Sequence, residues 1–185
     1  MRFLSLILIA VFALSASAQT STELSDSRKA VKTSGDVLLV AMPVATLTGV
    51  LVERDWTGLK QAAFTTATTL GATYLLKYTV KKTRPDGSDR HSFPSAHTSI
   101  LFANAGFVER RYGWKLGVPA FAVATYVGWS RTYARKHDWW DVVTGAAIGA
   151  GSAYIFTRPW SRNLNLSIAP VSDGEHFGLV ASFTL

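Results

Sequence analysis

Long apolar segments separated by short polar turns dominate this 185-residue chain and restrict what it can fold into. Each segment is about 14 to 22 residues long, which suits a helix and lies near the lower limit for crossing a bilayer. The five segments occupy residues 37–52, 59–80, 95–108, 116–129 and 139–156. Asp36 and Asp138 are predicted to cap the first and the last of them. Five helices joined by short turns predict an all-α helical bundle.

The two ends of the chain have patterns of their own. Residues 1–18 combine a charged start, a short apolar run and Ala-Ser-Ala, which predicts a cleaved signal peptide or, alternatively, a first membrane helix. Residues 19–35 are polar and predict a linker, followed by a helical domain over 36–158. In residues 159–185 apolar and polar residues alternate on both sides of a Val-Ser-Asp-Gly turn, which predicts a short β-hairpin tail.

The basic excess of the chain, a formal net charge of +7, does not predict nucleic-acid binding. The Lys and Arg residues stand in short clusters between apolar segments, not in a long run interleaved with aromatic residues. In a membrane topology, several of these clusters would fall on cytoplasmic turns, as the positive-inside rule expects. They are Arg54, Lys60, Arg110, Arg111, Lys115, Arg158 and Arg162. This placement favours a membrane-embedded bundle over a soluble periplasmic one.

Cysteine is absent from the sequence. Disulfide bonds and thiol chemistry are therefore excluded. The chemistry of the chain has to be carried by three blocks of polar residues that stand between the apolar segments. Each block contains residue types suited to binding or transferring a phosphoryl group, and each also has a plainer structural interpretation.

Lys77 and Arg84-Pro85 form the first block. Lys77 lies near the end of an apolar helix, and Arg84 follows in the polar loop. An arginine offers two parallel donors and a lysine a point charge, so together they could clamp the oxygens of a phosphate. The alternative is a cationic helix end that faces water, which cations at a helix C-terminus also stabilise.

Pro94-Ser95-Ala96-His97 is the second block. Ser95 is a plausible N-cap, and the backbone amides after an N-cap point free N–H groups toward any nearby anion. His97 would then lie within reach of a phosphate oxygen or a leaving group. The alternative is an ordinary cap followed by a packed histidine.

Arg131, His137 and Asp141 belong to the third block. Residues four apart share a face of a helix, so Asp141 could bond one imidazole nitrogen of His137. Such a carboxylate fixes the tautomer and stabilises the positive charge that grows during nucleophilic attack. Arg131 could hold phosphate oxygens beside the pair. The alternative is a first-turn acid at a helix start with an exposed histidine.

Jointly the three blocks resemble the motifs of the type 2 phosphatidic acid phosphatase (PAP2) superfamily. That superfamily also includes bacterial non-specific acid phosphatases and vanadium haloperoxidases. The resemblance covers about residues 36–157 and implies a helical bundle that brings the three motifs together at one end. In chain order the motifs are Lys-x6-Arg-Pro, Pro-Ser-x-His and Ser-Arg-x5-His-x3-Asp.

The resemblance also implies roles for the site residues. His137 would be the nucleophile that becomes a phosphohistidine, Asp141 would orient it, and His97 would protonate the leaving group. The implied phosphate-binding set is Lys77, Arg84, Ser95, Ala96 and Arg131. No metal or cofactor is implied, because guanidinium and ammonium groups supply the positive charge. One position departs from the family, which usually has glycine where Ala96 stands, and alanine would be strained there if the backbone needed a positive φ.

The expected function is therefore a metal-independent phosphatase of the cell envelope. It would hydrolyse a phosphate monoester or diphosphate, and the expected substrate is a lipid. The bundle would be embedded in the membrane, with its site facing the periplasm. The expected partners are the lipid substrate and the membrane. The alternatives are a soluble periplasmic acid phosphatase, a vanadium-dependent haloperoxidase and a non-catalytic membrane protein that retains the motifs.

Overall fold

The computed structural model describes residues 24–160, 165–172 and 177–184, and within them the chain is a bundle of five helices. The predicted signal peptide lies outside the described residues. All five predicted helices are present, and the last has the predicted bounds. The helices are α1 Leu24–Val52, α2 Trp56–Val80, α3 Ala96–Tyr112, α4 Trp114–Tyr133 and α5 Trp139–Phe156.

Helix α1 begins much earlier than its sequence predicts, so the description of residues 24–35 as a linker and of Asp36 as a cap is wrong. The polar first part of α1 is supported by ion pairs one helical turn apart, Asp26 with Lys29 at 3.9 Å and Lys32 with Asp36 at 3.0 Å. Such pairs add modestly to the stability of a helix. Asp36 lies well inside α1, where its side chain is free to contact other elements.

Three of the helix starts are fixed by the residue types that the sequence supplies. Asp55 caps α2 by accepting a hydrogen bond from the Gly58 amide at 2.8 Å. Ser95 is the N-cap of α3, and Asp138 caps α5 in a reciprocal capping box with Asp141. Each cap satisfies amides that the helix itself leaves without partners. The predicted caps at Ser95 and Asp138 are confirmed.

Helix α3 is central and contacts all four other helices, with α5 lying directly on it. Two glycines of α5 make this close approach possible. A Cβ atom on Gly149 would lie 2.1 Å from the Ser99 carbonyl oxygen, and one on Gly145 would lie 2.7 Å from that of Ser95. Because no side chain keeps the backbones apart, the N-terminus of α5 reaches the N-terminus of α3, where the Ser95 amide donates to the Asp141 carbonyl oxygen at 3.0 Å.

Small apolar clusters around α3 form the core. One is built on Leu101, Ala105, Ala124 and Val127, and it is packed against residues of α1 such as Leu38. A second cluster, nearer the other end of the bundle, contains Val50, Phe107 and Val108. The polar blocks of the sequence lie beyond the first cluster, at the end of the bundle where α2 and α4 finish and α3 and α5 begin.

Two strands follow the helices, β1 Asn165–Ser172 and β2 Phe177–Thr184. They pair antiparallel, with Asn165 opposite Thr184 and Ser172 opposite Phe177. The residues that would connect them, 173–176, lie outside the described residues. The C-terminal hairpin as a complete unit therefore stays a prediction.

Candidate active site

His137 and Asp141 form a buried pair at the start of α5. His137 lies in the turn before the helix and Asp141 in its first turn, so the two do not share a helical face as the sequence suggests. The capping box at Asp138 nevertheless turns the chain so that His137 Nδ1 lies 3.4 Å from Asp141 Oδ2. The side chains are 5% and 0% exposed. A neutral imidazole whose Nδ1–H points at this carboxylate keeps a lone pair on Nε2.

Two further residues, Ser92 and Lys82, hold the Asp141 carboxylate in place. Ser92 Oγ donates to Oδ2 and also lies 3.4 Å from His137 Nδ1. Lys82 Nζ donates to Oδ1 at 2.9 Å and to the carboxylate of Asp138. Burial alone would lower the pKa of Lys82, but these hydrogen bonds raise it above the ordinary lysine value, so the side chain is a cation. Sequence reasoning missed both residues.

Burial lowers the pKa of the His137 imidazole below its ordinary value of about 6.5. The hydrogen bond to Asp141 works in the opposite direction, while the positive charges of Lys77 and Arg84 add to the lowering. The net shift keeps the ring neutral at physiological pH. A neutral ring with a free nitrogen lone pair is the form in which histidine acts as a nucleophile.

The titration of His137 can be observed directly by NMR. We expect its ring resonances to titrate with a midpoint below about 6.5. The Asp141→Asn variant should titrate still lower, because it loses the hydrogen bond that stabilises the imidazolium form. The chain has four histidines, so the resonance is assigned by its loss in His137→Asn. A midpoint above the ordinary imidazole value would contradict the account of this pocket.

Lys77 and Arg84 lie close enough to His137 for their charges to act on its ring. Lys77 is buried at the end of α2, and its Nζ donates to the carbonyl oxygens of His91 at 2.6 Å and Pro94 at 2.9 Å. Arg84 Nε lies 3.0 Å from Asp89 Oδ2, an ion pair that lacks the alignment of a hydrogen bond. Both cations act on the charge of His137. The structure thus brings the first block against the third.

An ion pair also connects the loop that carries Arg84 to the turn before α5. Lys136 Nζ donates to Asp86 Oδ2 at 2.5 Å. The Asp86 carboxylate also accepts hydrogen bonds from Ser88, and the pKa of Asp86 is held far below its ordinary value, first by the Lys136 ammonium. The loop is therefore fixed beside His137 by a contact that joins the two motif-bearing segments.

Ser95 and Ala96 place the free amides of α3 at the same end of the bundle. Ser95 is fully buried, and its Oγ accepts from the Thr98 hydroxyl at 3.0 Å. Ala96 is the first residue of α3 and is not among the residues with a positive φ. Alanine in place of the family's usual glycine is therefore not strained. The first amides of α3 carry partial positive charge that favours an anion.

Arg131 and His97 are held together by a residue whose role the sequence did not reveal, Asp36 of α1. Its Oδ1 accepts from Arg131 Nη1 at 2.8 Å and contacts His97 Nε2 at 2.9 Å. Arg131 is 2% exposed and lies in the last turn of α4, not in a loop as the sequence suggests. Its Nη2 donates to the Lys32 carbonyl oxygen at 2.7 Å.

All the residues predicted to form the site therefore meet at one end of the bundle. The described residues contain no group of three or more His, Asp or Glu side chains arranged to hold a metal ion. The site instead gathers cations and helix N-terminal amides around a neutral imidazole. Such an arrangement can bind a tetrahedral anion and present a nucleophile to its central atom.

A family model described as the PAP2 superfamily matches residues 58–164, more than half of the chain. The chain belongs to the PAP2 superfamily. Its match covers all three motifs but starts after α1, so Asp36 precedes the matched region. The resemblance read from the motifs is thereby confirmed.

Among known proteins, this PAP2 protein is similar to the lipid A 4'-phosphatase of Helicobacter pylori, with 36% identity over 134 residues, which is 66% of this chain and 67% of that protein. It is 38% identical over 76 residues to the lipid A 1-phosphatase of Porphyromonas gingivalis, covering 40% of this chain and 17% of that protein. Among solved structures it resembles a transmembrane PAP2-type phosphatidylglycerolphosphate phosphatase from Bacillus subtilis, with 19% identity, a TM-score of 0.44 and coverage of 83% and 93% of the two chains.

Proposed function

We propose that this PAP2 protein is a metal-independent phosphatase that hydrolyses the phosphate monoester or diphosphate of an envelope lipid. The observation that carries the proposal is the buried His137–Asp141 pair, with its imidazole neutral and cations beside it. Membership of the PAP2 superfamily and similarity to lipid phosphatases support the same reaction class.

In the first step, His137 Nε2 attacks phosphorus as the bond from phosphorus to the leaving oxygen breaks. Lys77, Arg84 and Arg131, with the first amides of α3, hold the remaining phosphoryl oxygens and stabilise their charge. His97 gives a proton to the leaving oxygen, and a bound phosphate dianion favours the imidazolium form that this needs. The products are a phosphohistidine and the free lipid alcohol or monophosphate.

In the second step, water attacks the same phosphorus and breaks its bond to His137. His97, now neutral, takes the proton from the water, so it returns to its starting form as inorganic phosphate is released. Asp141 keeps the Nδ1 proton of His137 throughout and stabilises the positive ring while the phosphoryl group is attached. In this mechanism the lysine and arginine side chains supply the positive charge that neutralises the phosphoryl oxygens, and no metal ion takes part.

The outer surface of the bundle supports a lipid substrate and a membrane location. Its interior contains small polar side chains such as Thr65, Thr69 and Thr73, whereas large apolar side chains point outward. Soluble monomers rarely expose so much apolar surface. Side chains that are more than half exposed include Val40, Val44, Phe64, Leu75, Val118, Val143 and Ile155.

Helix length adds a second argument for the membrane. In the described part of the chain, one stretch, Asp26–Val52 of α1, is long and apolar enough to cross a bilayer, and most of it is not covered by the rest of the bundle. The other helices would cross as shorter segments packed against α3. We propose that the bundle lies in the inner membrane with its site at the periplasmic side.

Phosphate release from a panel of substrates in EDTA tests the proposed function. The panel contains a lipid A-type phosphate, a phosphatidyl phosphate, a lipid diphosphate and a soluble phosphate ester. We expect turnover of at least one lipid to exceed that of the soluble ester by tenfold or more, and exhaustive chelation to leave the rate nearly unchanged. Vanadate should inhibit competitively, because its five-coordinate form matches the transition state.

Other outcomes of this panel would contradict the proposal. Equal turnover of the soluble ester would indicate a non-specific acid phosphatase. Halide oxidation by the vanadate-loaded protein and peroxide, without phosphate release, would indicate a haloperoxidase. A loss of activity in EDTA that Mg²⁺ restores would contradict the metal-independent mechanism. No release from any ester would indicate a protein that keeps the motifs without the reaction.

The proposed orientation can be tested by cysteine labelling, since the chain has no cysteine of its own. Arg90 is exposed in the site loop, and Lys115 is exposed at the opposite end. Lys115 is used in place of the neighbouring Gly113, because Gly113 has a φ of +92° and a cysteine would be strained there. We expect an impermeant thiol reagent on intact spheroplasts to label Arg90→Cys alone. Labelling of both would indicate a soluble periplasmic bundle, and labelling of Lys115→Cys alone would reverse the orientation.

A further inference from the structure

Asp36 is the one carboxylate of the described chain that contacts both Arg131 and His97, and it lies outside the region that matches the family model. We propose that Asp36 is a positioning residue that orients His97 as the proton donor and fixes Arg131 in its phosphate-binding position. The proposal rests on the proposed function, because it assigns a further residue to the same reaction.

Contacts within α1 and with Arg131 hold Asp36 in this place. Its Oδ2 accepts from Lys32 Nζ at 3.0 Å, one turn earlier on the same helix. The backbone of α1 lies directly against Arg131, since a Cβ atom on Gly35 would be 2.3 Å from Arg131 Nη2. The Lys32 carbonyl oxygen accepts from that same nitrogen. The guanidinium group of Arg131 thus packs directly against the backbone of α1.

The N–H donors that Arg131 keeps free decide whether Asp36 supports phosphate binding or competes with it. A guanidinium group has five N–H donors. Three of those on Arg131 go to Asp36, Lys32 and Ser130. The other two have no hydrogen-bond partner among the described residues, and in the proposed complex they donate to a phosphate oxygen. Asp36 therefore need not leave when an anion binds.

The same arrangement occurs at His97. Its Nε2 faces the Asp36 carboxylate, so the proton shared between them is on Nε2. Nδ1 has no partner among the described residues and is the nitrogen from which a proton can reach the leaving oxygen. A carboxylate on one nitrogen stabilises the imidazolium that donates from the other. The site then contains two carboxylate–imidazole pairs, Asp141–His137 for attack and Asp36–His97 for proton transfer.

Replacing Asp36 by asparagine keeps the size of the side chain and removes its charge, so it tests this role. We expect kcat to fall about tenfold to a hundredfold on an alkyl phosphate. KM should change little, because an asparagine oxygen can still accept from Arg131 Nη1 and the Lys32 carbonyl oxygen still accepts from Nη2. An ester with a nitrophenyl leaving group needs no proton and should lose much less. The ratio of the two rates in one sample does not depend on how much of the variant is folded. Asp26→Asn, a change at a surface ion pair on the same helix, should match the wild type.

A readout without substrate separates this proposal from the proposed function. The ¹⁵N shifts of His97 should show the proton on Nε2 in the wild type and a loss of that preference in Asp36→Asn. Unchanged shifts, or an equal loss on both esters, would overturn the assignment of Asp36. A lower KM with unchanged kcat would show that Asp36 instead occupies the place of the phosphate. If the wild type turned over neither ester, the proposed function would fail while the shifts still decided the role of Asp36.

Discussion

Replacing His137 by alanine should lower the rate of phosphate release by at least about 10⁴-fold. The variant removes the imidazole whose Nδ1 faces Asp141 and whose Nε2 is the proposed nucleophile, and no neighbouring group among the described residues can replace it. Ser92 is fully buried, and its hydroxyl is committed to Asp141. The measurement is single-turnover release of phosphate from the best lipid substrate of the panel, with the folded state checked by circular dichroism.

His91 provides a matched control for this variant. Its ring packs edge-on against Tyr78 with the ring centroids 5.3 Å apart, and its contact with Lys77 uses the backbone carbonyl oxygen, which alanine keeps. His91→Ala should therefore retain most of the activity. If His137→Ala kept a rate within tenfold of the wild type, the nucleophile would have to be another residue.

Replacing Asp141 by asparagine should lower kcat by between about 10² and 10⁴-fold. Asparagine keeps the size of the side chain, but it has no charge to stabilise the imidazolium that forms when His137 attacks. It also leaves Lys82 with one carboxylate partner in place of two. We expect a smaller loss than in His137→Ala, because the imidazole and the phosphate-binding groups are still present.

Asp138→Asn is the control for the effect of charge at the start of α5. Asp138 pairs with the same Lys82 and caps the helix, and asparagine caps almost as well. Its side chain makes no hydrogen bond or ion pair with the His137 ring among the described residues. Its kcat should stay within a few-fold of the wild type. An equal loss in the two variants would mean that Asp141 acts through Lys82 or the helix start, and not through His137.

The parts of the fold and site that the sequence predicts correctly are those determined by neighbouring residues. Ser95 and Asp138 cap helices because their side chains bond amides three positions on. The start of the last helix is therefore predicted at the correct residue. The His137–Asp141 pair is also local. Two helices, α3 and α4, separate the second block from the third, so the chain returns to the same end and the three motifs can meet there.

The parts that the sequence leaves out depend on contacts between distant residues. Asp36 lies 95 positions from Arg131, Lys82 lies 59 from Asp141, and Ser92 lies 49 from it. Locally, Asp36 resembles a helix cap and Lys82 a cation at a helix end, and nothing nearby distinguishes these roles from the observed ones. The polar start of α1 resembles a linker, because its helix depends on ion pairs and on its contact with Arg131.

Trapping of the covalent intermediate tests the central claim most directly. The protein is mixed with a phosphorylated lipid, quenched in base within one turnover, digested and examined by mass spectrometry, since phosphohistidine survives base and is lost in acid. The account predicts a single acid-labile phosphoryl group on His137, which is absent in His137→Ala and persists longer in His97→Gln because attack by water is slowed. A phosphoryl group on any other residue, or one that remains in His137→Ala, would contradict it.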